Sequence, residues 1–145
     1  MNSIEENLRE NGVHVSTTSG YSMMPMLKDR RDRIVLQPIG KEHLHRYDLP
    51  LYKRPDGVYV LHRIIKVCDG YYIIRGDNTY VKEKVPFDWV IGYVTEFYRK
   101  GRHVSSDSRT YRFYAAFWHF IYPVRLLKRK IRLLGGRIWR KIKRK

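Results

Sequence analysis

The chain has 145 residues, 43% of them hydrophobic, which is the length of one domain and enough apolar material for a real core. Its formal charge of +16, from 30 basic against 14 acidic residues, predicts an anionic counterpart such as a membrane surface or nucleic acid. The single cysteine, Cys68, excludes an intramolecular disulfide and a multi-cysteine zinc site.

From Met1 to Val15 the chain carries Glu5, Glu6, Arg9 and Glu10 and no long apolar run, so it reads neither as a secretion signal nor as a membrane span. A cytoplasmic location is therefore expected. Ile4 to Asn11 predicts a brief helix, with Gly12 where it would stop. Next comes Ser19-Gly-Tyr-Ser-Met-Met-Pro-Met-Leu27, in which glycine permits a sharp turn and proline restrains its exit. A serine held between them, Ser22, can be presented to solvent.

Five runs rich in β-branched and aromatic residues read as strands: Arg33–Gln37, Gly57–Leu61, Ile64–Val67, Tyr71–Arg75 and Val90–Val94. Turn signals separate them at Pro55-Asp-Gly57, Asp69-Gly70 and Gly76-Asp-Asn78, and Asp69-Gly70 sits between two apolar runs as a hairpin turn does. The expected fold is mainly β, a small antiparallel domain spanning 1–100 with its core at about 13–98.

The polar, serine-rich stretch after Gly101 reads as a linker over 101–110, and everything beyond it as a basic tail, 111–145. That tail holds no acidic residue. Its aromatic run Tyr111 to Tyr122 is too short to span a bilayer of about 30 Å as a helix. From Val124 onward Leu127, Ile131, Leu134, Ile138 and Ile142 recur three or four apart and line one helical face, with Trp139 beside it suited to a membrane interface. Gly135-Gly136 is expected to break this helix in two. An anionic membrane surface bound through 111–145 is the expected partner, placing the protein peripherally on the inner face of the cell membrane. A nucleic-acid tail would use the same charges but has less need of Phe113, Phe117, Trp118, Phe120 and Ile121.

A serine hydroxyl attacks a carbonyl at neutral pH only with a neighbouring base. Of the histidines 14, 43, 45, 62, 103 and 119, His62 lies in the strand-like Tyr59-Val-Leu-His-Arg-Ile-Ile65, where alternation fixes side-chain direction. Downstream, Asp77 and Glu83 each offer a carboxylate to orient an imidazole, and either suits the role.

Gly20-Tyr-Ser-Met-Met-Pro-Met-Leu27, Val60-Leu-His-Arg-Ile-Ile65, Arg75-Gly-Asp-Asn78 and Ile91-Gly-Tyr-Val94 resemble, in order and spacing, the boxes of the signal peptidase I superfamily, which also includes the self-cleaving domain of SOS repressors. His62-Arg63 is similar to the serine-histidine branch rather than the serine-lysine one. The resemblance implies Ser22 as nucleophile, His62 as general base, and Asp77 and Glu83 as acids tied to activity. It further implies an extended precursor peptide as substrate, cut at a leader or signal segment, with Met23 and Pro25 against it. No metal or organic cofactor enters such chemistry. Departures are Arg31-Asp32 and Tyr47-Asp48 where the family commonly has glycine-aspartate, and Gly20 where relatives carry a serine that donates to the oxyanion; that donor then falls to the Ser22 backbone amide. The membrane enzymes of the family also carry an apolar anchor before the serine box, which this sequence lacks. Two other classes of function are a regulatory protein that cuts itself and a non-catalytic module that uses the basic tail on nucleic acid.

Overall fold

A computed structural model describes residues 3–142, with side chains described through residue 136. Helix α1 (Ile4–Asn11) begins where Ser3 and Glu6 satisfy each other's backbone N–H groups, and it stops at Gly12, whose φ of +68° a side chain would resist. Its one fully buried residue, Leu8, seats it on the main core.

The larger sheet is antiparallel throughout, in the order β1 (His14–Thr17), β2 (Arg33–Gln37), β8 (Val90–Arg99), β3 (Pro50–Lys53), β4 (Tyr59–Leu61). Strand β8 is its spine. One side of β8 carries β2, and the other carries first β3 and then β9 (Arg102–Ser105), which pairs with Glu96–Arg99. The close crossing of α1 over β2 and β8 requires Gly92, because a Cβ there would lie 2.8 Å from the Gln37 carbonyl oxygen and 3.0 Å from Leu8.

A second, three-stranded sheet holds β5 (Arg63–Val67), β6 (Tyr71–Arg75) and β7 (Glu83–Pro86). Alternation on β6 sends Tyr72 and Ile74 inward to Tyr52, Ile64 and Val85, which form the smaller of two cores. The larger core gathers Leu8, Met26, Leu27, Leu36, Leu51 and Phe97. Burying each such side chain contributes about 1.5–3 kcal/mol before the entropy of ordering it is subtracted.

The mainly antiparallel β fold and the helical C-terminal segment stand as expected, and both the Pro55-Asp-Gly57 turn and the Asp69-Gly70 hairpin form. The 101–110 stretch differs from expectation. Instead of a solvated linker it holds β9 and a buried Ser106, whose N–H donates to Thr95. Beyond it, α2 (Arg109–Phe120), capped by Ser108, buries Ala115 and sets Tyr111 in the larger core, so the start of the basic segment is part of the folded body.

Helix α3 (Tyr122–Ile142) follows after a single intervening residue, with Pro123 in its first turn where a missing N–H costs nothing. It runs through Gly135-Gly136 unbroken, contrary to expectation. Glycine lowers helix stability by about 1 kcal/mol but keeps its N–H, so the hydrogen-bond ladder continues. The side chains of Ile138, Trp139 and Ile142, placed on the apolar face by sequence, lie outside the described residues.

Candidate active site

Residues 18–32 form a loop between β1 and β2, closed at its neck by three bonds. The Thr18 N–H donates to Asp32, its hydroxyl lies 3.0 Å from the Lys28 carbonyl, and the Arg30 N–H donates to Thr18. Asp32 is fully buried and accepts from the backbone N–H of Lys28 and from the guanidinium of Arg31, so Arg31, the departure from the expected glycine, helps to staple the loop from within. Inside the loop Met23, Met26 and Leu27 are buried, which anchors the turn that carries Ser22. The Met24–Pro25 peptide bond is cis.

His62 occupies the one residue between β4 and β5, where the chain leaves one sheet and enters the other. This junction is more confining than a continuous strand, and the imidazole is buried. Its Nδ1 lies 3.5 Å from the Tyr52 hydroxyl and 3.7 Å from Glu83 Oε1. Tyr52 in turn donates to Glu83 at 3.1 Å, and Arg54 holds the same carboxylate through both Nε and Nη2. Burial pushes the His62 pKa below its ordinary value; Glu83 opposes this and Arg54 adds to it. At neutral pH the ring is therefore an uncharged base.

The opposite ring nitrogen faces the serine loop. A Cβ on Gly76 would stand 3.0 Å from His62 Nε2 and 2.7 Å from the Ser22 carbonyl oxygen, so only glycine lets these three groups meet. The next residues complete the seat: the Asn78 N–H donates to the Ser22 carbonyl at 2.7 Å and its side-chain amide to that of Tyr21. Ser22 and His62, forty positions apart in sequence, line one cleft of about 380 Å³ together with Gly20, Met23, Arg54 and Leu61. Among the described residues there is no hydrogen bond between the Ser22 hydroxyl and the imidazole.

The two candidate acids are in different places. Glu83 reaches His62; Asp77 does not. Asp77 is buried in a two-pronged ion pair with Arg63, both bonds 2.7 Å, and Arg63 also donates to the Tyr47 carbonyl and the Tyr111 hydroxyl. Of the two expected substrate contacts, Met23 lines the Ser22 cleft, whereas Pro25 lines a separate recess with Asn78, Tyr80 and α3. Sequence reasoning names neither Tyr52 nor Arg54, and it notes Arg63 only as the neighbour of His62. Tyr52 lies in β3 and Arg54 directly follows that strand, two residues on, a signal hidden because Pro50–Lys53 does not read as a strand. No protein-family model and no curated protein matches this chain.

Proposed function

We propose that this protein is a serine endopeptidase resembling signal peptidase, which cleaves a leader or signal segment from a precursor peptide with Ser22 as nucleophile, His62 as general base and Glu83 as the group that orients His62. The observation that carries the reading is the meeting of Ser22 and a buried, uncharged His62 in one cleft, with the far nitrogen of the ring turned to a fixed tyrosine–carboxylate pair.

The cleft suits an extended substrate. Its walls include Ser16 and Thr17 of β1 and Tyr59, Val60 and Leu61 of β4, the two terminal strands of the larger sheet, each with one edge unpaired. A peptide laid between them gains main-chain hydrogen bonds as an added strand. In the reaction His62 Nε2 takes the Ser22 proton as the oxygen attacks the carbonyl carbon, and the Ser22 N–H, which has no acceptor among the described residues, faces the oxyanion. His62 returns the proton to the leaving amine, leaving an acyl ester on Ser22. Water, deprotonated by the same ring, then hydrolyses that ester.

Labelling with an acylating serine-directed probe, read by intact mass, tests this. The expected result is one adduct on the wild type and none on Ser22→Ala or His62→Ala. An adduct surviving in Ser22→Ala overturns the assignment of the nucleophile, and a wild type that neither labels nor cuts any peptide favours a non-catalytic binding module.

A further inference from the structure

We infer that α2 and α3 together present a docking face for an anionic lipid bilayer, a role separate from the catalytic reading. The helices run nearly continuously, since Ile121 between them donates to Phe117 and accepts from Arg125. Their inward stripe is occupied. Tyr111 and Ala115 are buried, Trp118 and Arg125 donate to the Asp77 carbonyl, Tyr122 donates to the Tyr80 carbonyl, and Arg129 stacks 4.4 Å from the Tyr80 ring.

Two residues on from each of those positions stand Phe113, Phe117, Phe120, Val124, Leu127 and Ile131, in an unbroken spacing of four and three that ends at Leu134. Two residues are about 200° of helix turn, so this second stripe points directly away from the body. All seven side chains are 49–80% exposed. The stripe extends for about 32 Å at about 1.5 Å per residue, far too much apolar surface to leave in water without a counterpart.

Charge identifies the counterpart. Lys128 and Lys130 leave the helix on the two flanks of the stripe, and there is no acidic residue after Asp107 against eleven lysines and arginines after Pro123. A second copy packed on the same stripe would set lysine against lysine along both flanks. A nucleic acid would take the charges and leave the phenylalanines and leucines wet. An anionic bilayer satisfies both, the apolar stripe entering the acyl boundary while the flanking lysines reach back to the headgroups. Among the described residues no helix is long and apolar enough to cross a membrane, which leaves the helices lying in its plane. The notch formed by Arg46, Tyr47, Phe113, Phe117 and Phe120 widens this face toward the β domain.

Co-sedimentation with vesicles tests the inference, comparing phosphatidylcholine alone with an equimolar phosphatidylcholine–phosphatidylglycerol mixture. The wild type is expected to bind only the mixture, and a triple variant F117S/L127S/I131S, which keeps every charge, to lose roughly tenfold or more in partitioning. Ser22→Ala should bind as wild type, which separates this face from the catalytic reading. A wild type that stays in the supernatant, or a triple variant that binds as well as the wild type, overturns the face. So does a wild-type dimer in sedimentation velocity that the triple variant dissolves, because the stripe would then belong to a second copy.

Discussion

Asp77 and Glu83 sit six residues apart with the same charge, and their neighbours set them to different work. Asp77 neutralises a fully buried Arg63, so Asp77→Asn should leave that guanidinium without its partner and lower unfolding free energy by about 3–5 kcal/mol in denaturant titration. Glu83 is only partly buried and lies 3.7 Å from the His62 ring, so on the proposed reading Glu83→Gln is expected to unfold at nearly the wild-type midpoint while slowing probe acylation roughly ten- to a hundredfold. The depressed pKa of His62 fixes a pH profile as well: acylation should rise with pH through a midpoint below about 6.5 and be level at neutrality, and a midpoint above that value would mean a different base. Both acids could be named from sequence, because Asp77 stands in the turn after the Tyr71–Arg75 run and Glu83 follows six residues later. Choosing between them was not possible there, since the choice depends on where Arg63 and Arg54 point, and that follows from strand pairing across 14 and 29 residues of chain.

The elements most legible in sequence are those whose composition and surroundings agree. β2 and β6 were read to the residue because each is a continuous β-branched or aromatic run between turn signals. β1, β3, β7 and β9 were missed for separate physical reasons. β1 is a half-exposed edge, β3 opens on proline, β7 buries only Val85 fully, and β9 lies among serines and charges that pair only because β8 extends past Val94 to receive them. Of the elements around the site, the Gly76–Asn78 turn is the least tolerant. Gly76→Ala drives a methyl to within 2.7 Å of the Ser22 carbonyl, and a drop in acylation of roughly a hundredfold or more is expected from the displaced serine. The helices divide differently from the reading of 111–145 as one tail. Ending the chain after Leu126 should leave the thermal midpoint nearly unchanged, because the side chains described beyond it, 127–136, are exposed, whereas ending it after Ser108 removes the buried Tyr111 and Ala115 and should unfold the protein.

Across the whole molecule, two imidazoles are held below their ordinary pKa, His62 mainly by burial and His119 by burial and by Arg75, Arg46 and Lys82. The unfolded chain therefore takes up protons that the native one refuses, and stability should fall as pH drops below about 6.5, with no further loss from these groups once pH passes below their native values. Thermal midpoints between neutrality and mild acid check this, and His62→Gln should flatten the slope. The net charge of +16 adds self-repulsion that salt relieves, so the midpoint should also rise with ionic strength. One peptide unit ties α2 and α3 to the serine loop. The Asp77 carbonyl takes bonds from Trp118 and Arg125, while the residues on either side of it touch Ser22 and His62. The amide proton of Asn78, which that same peptide unit donates to the Ser22 carbonyl, is thereby a built-in gauge: its deuterium uptake should quicken when Trp118→Phe removes one of the two bonds, so a single amide reports how firmly the helices hold the serine loop.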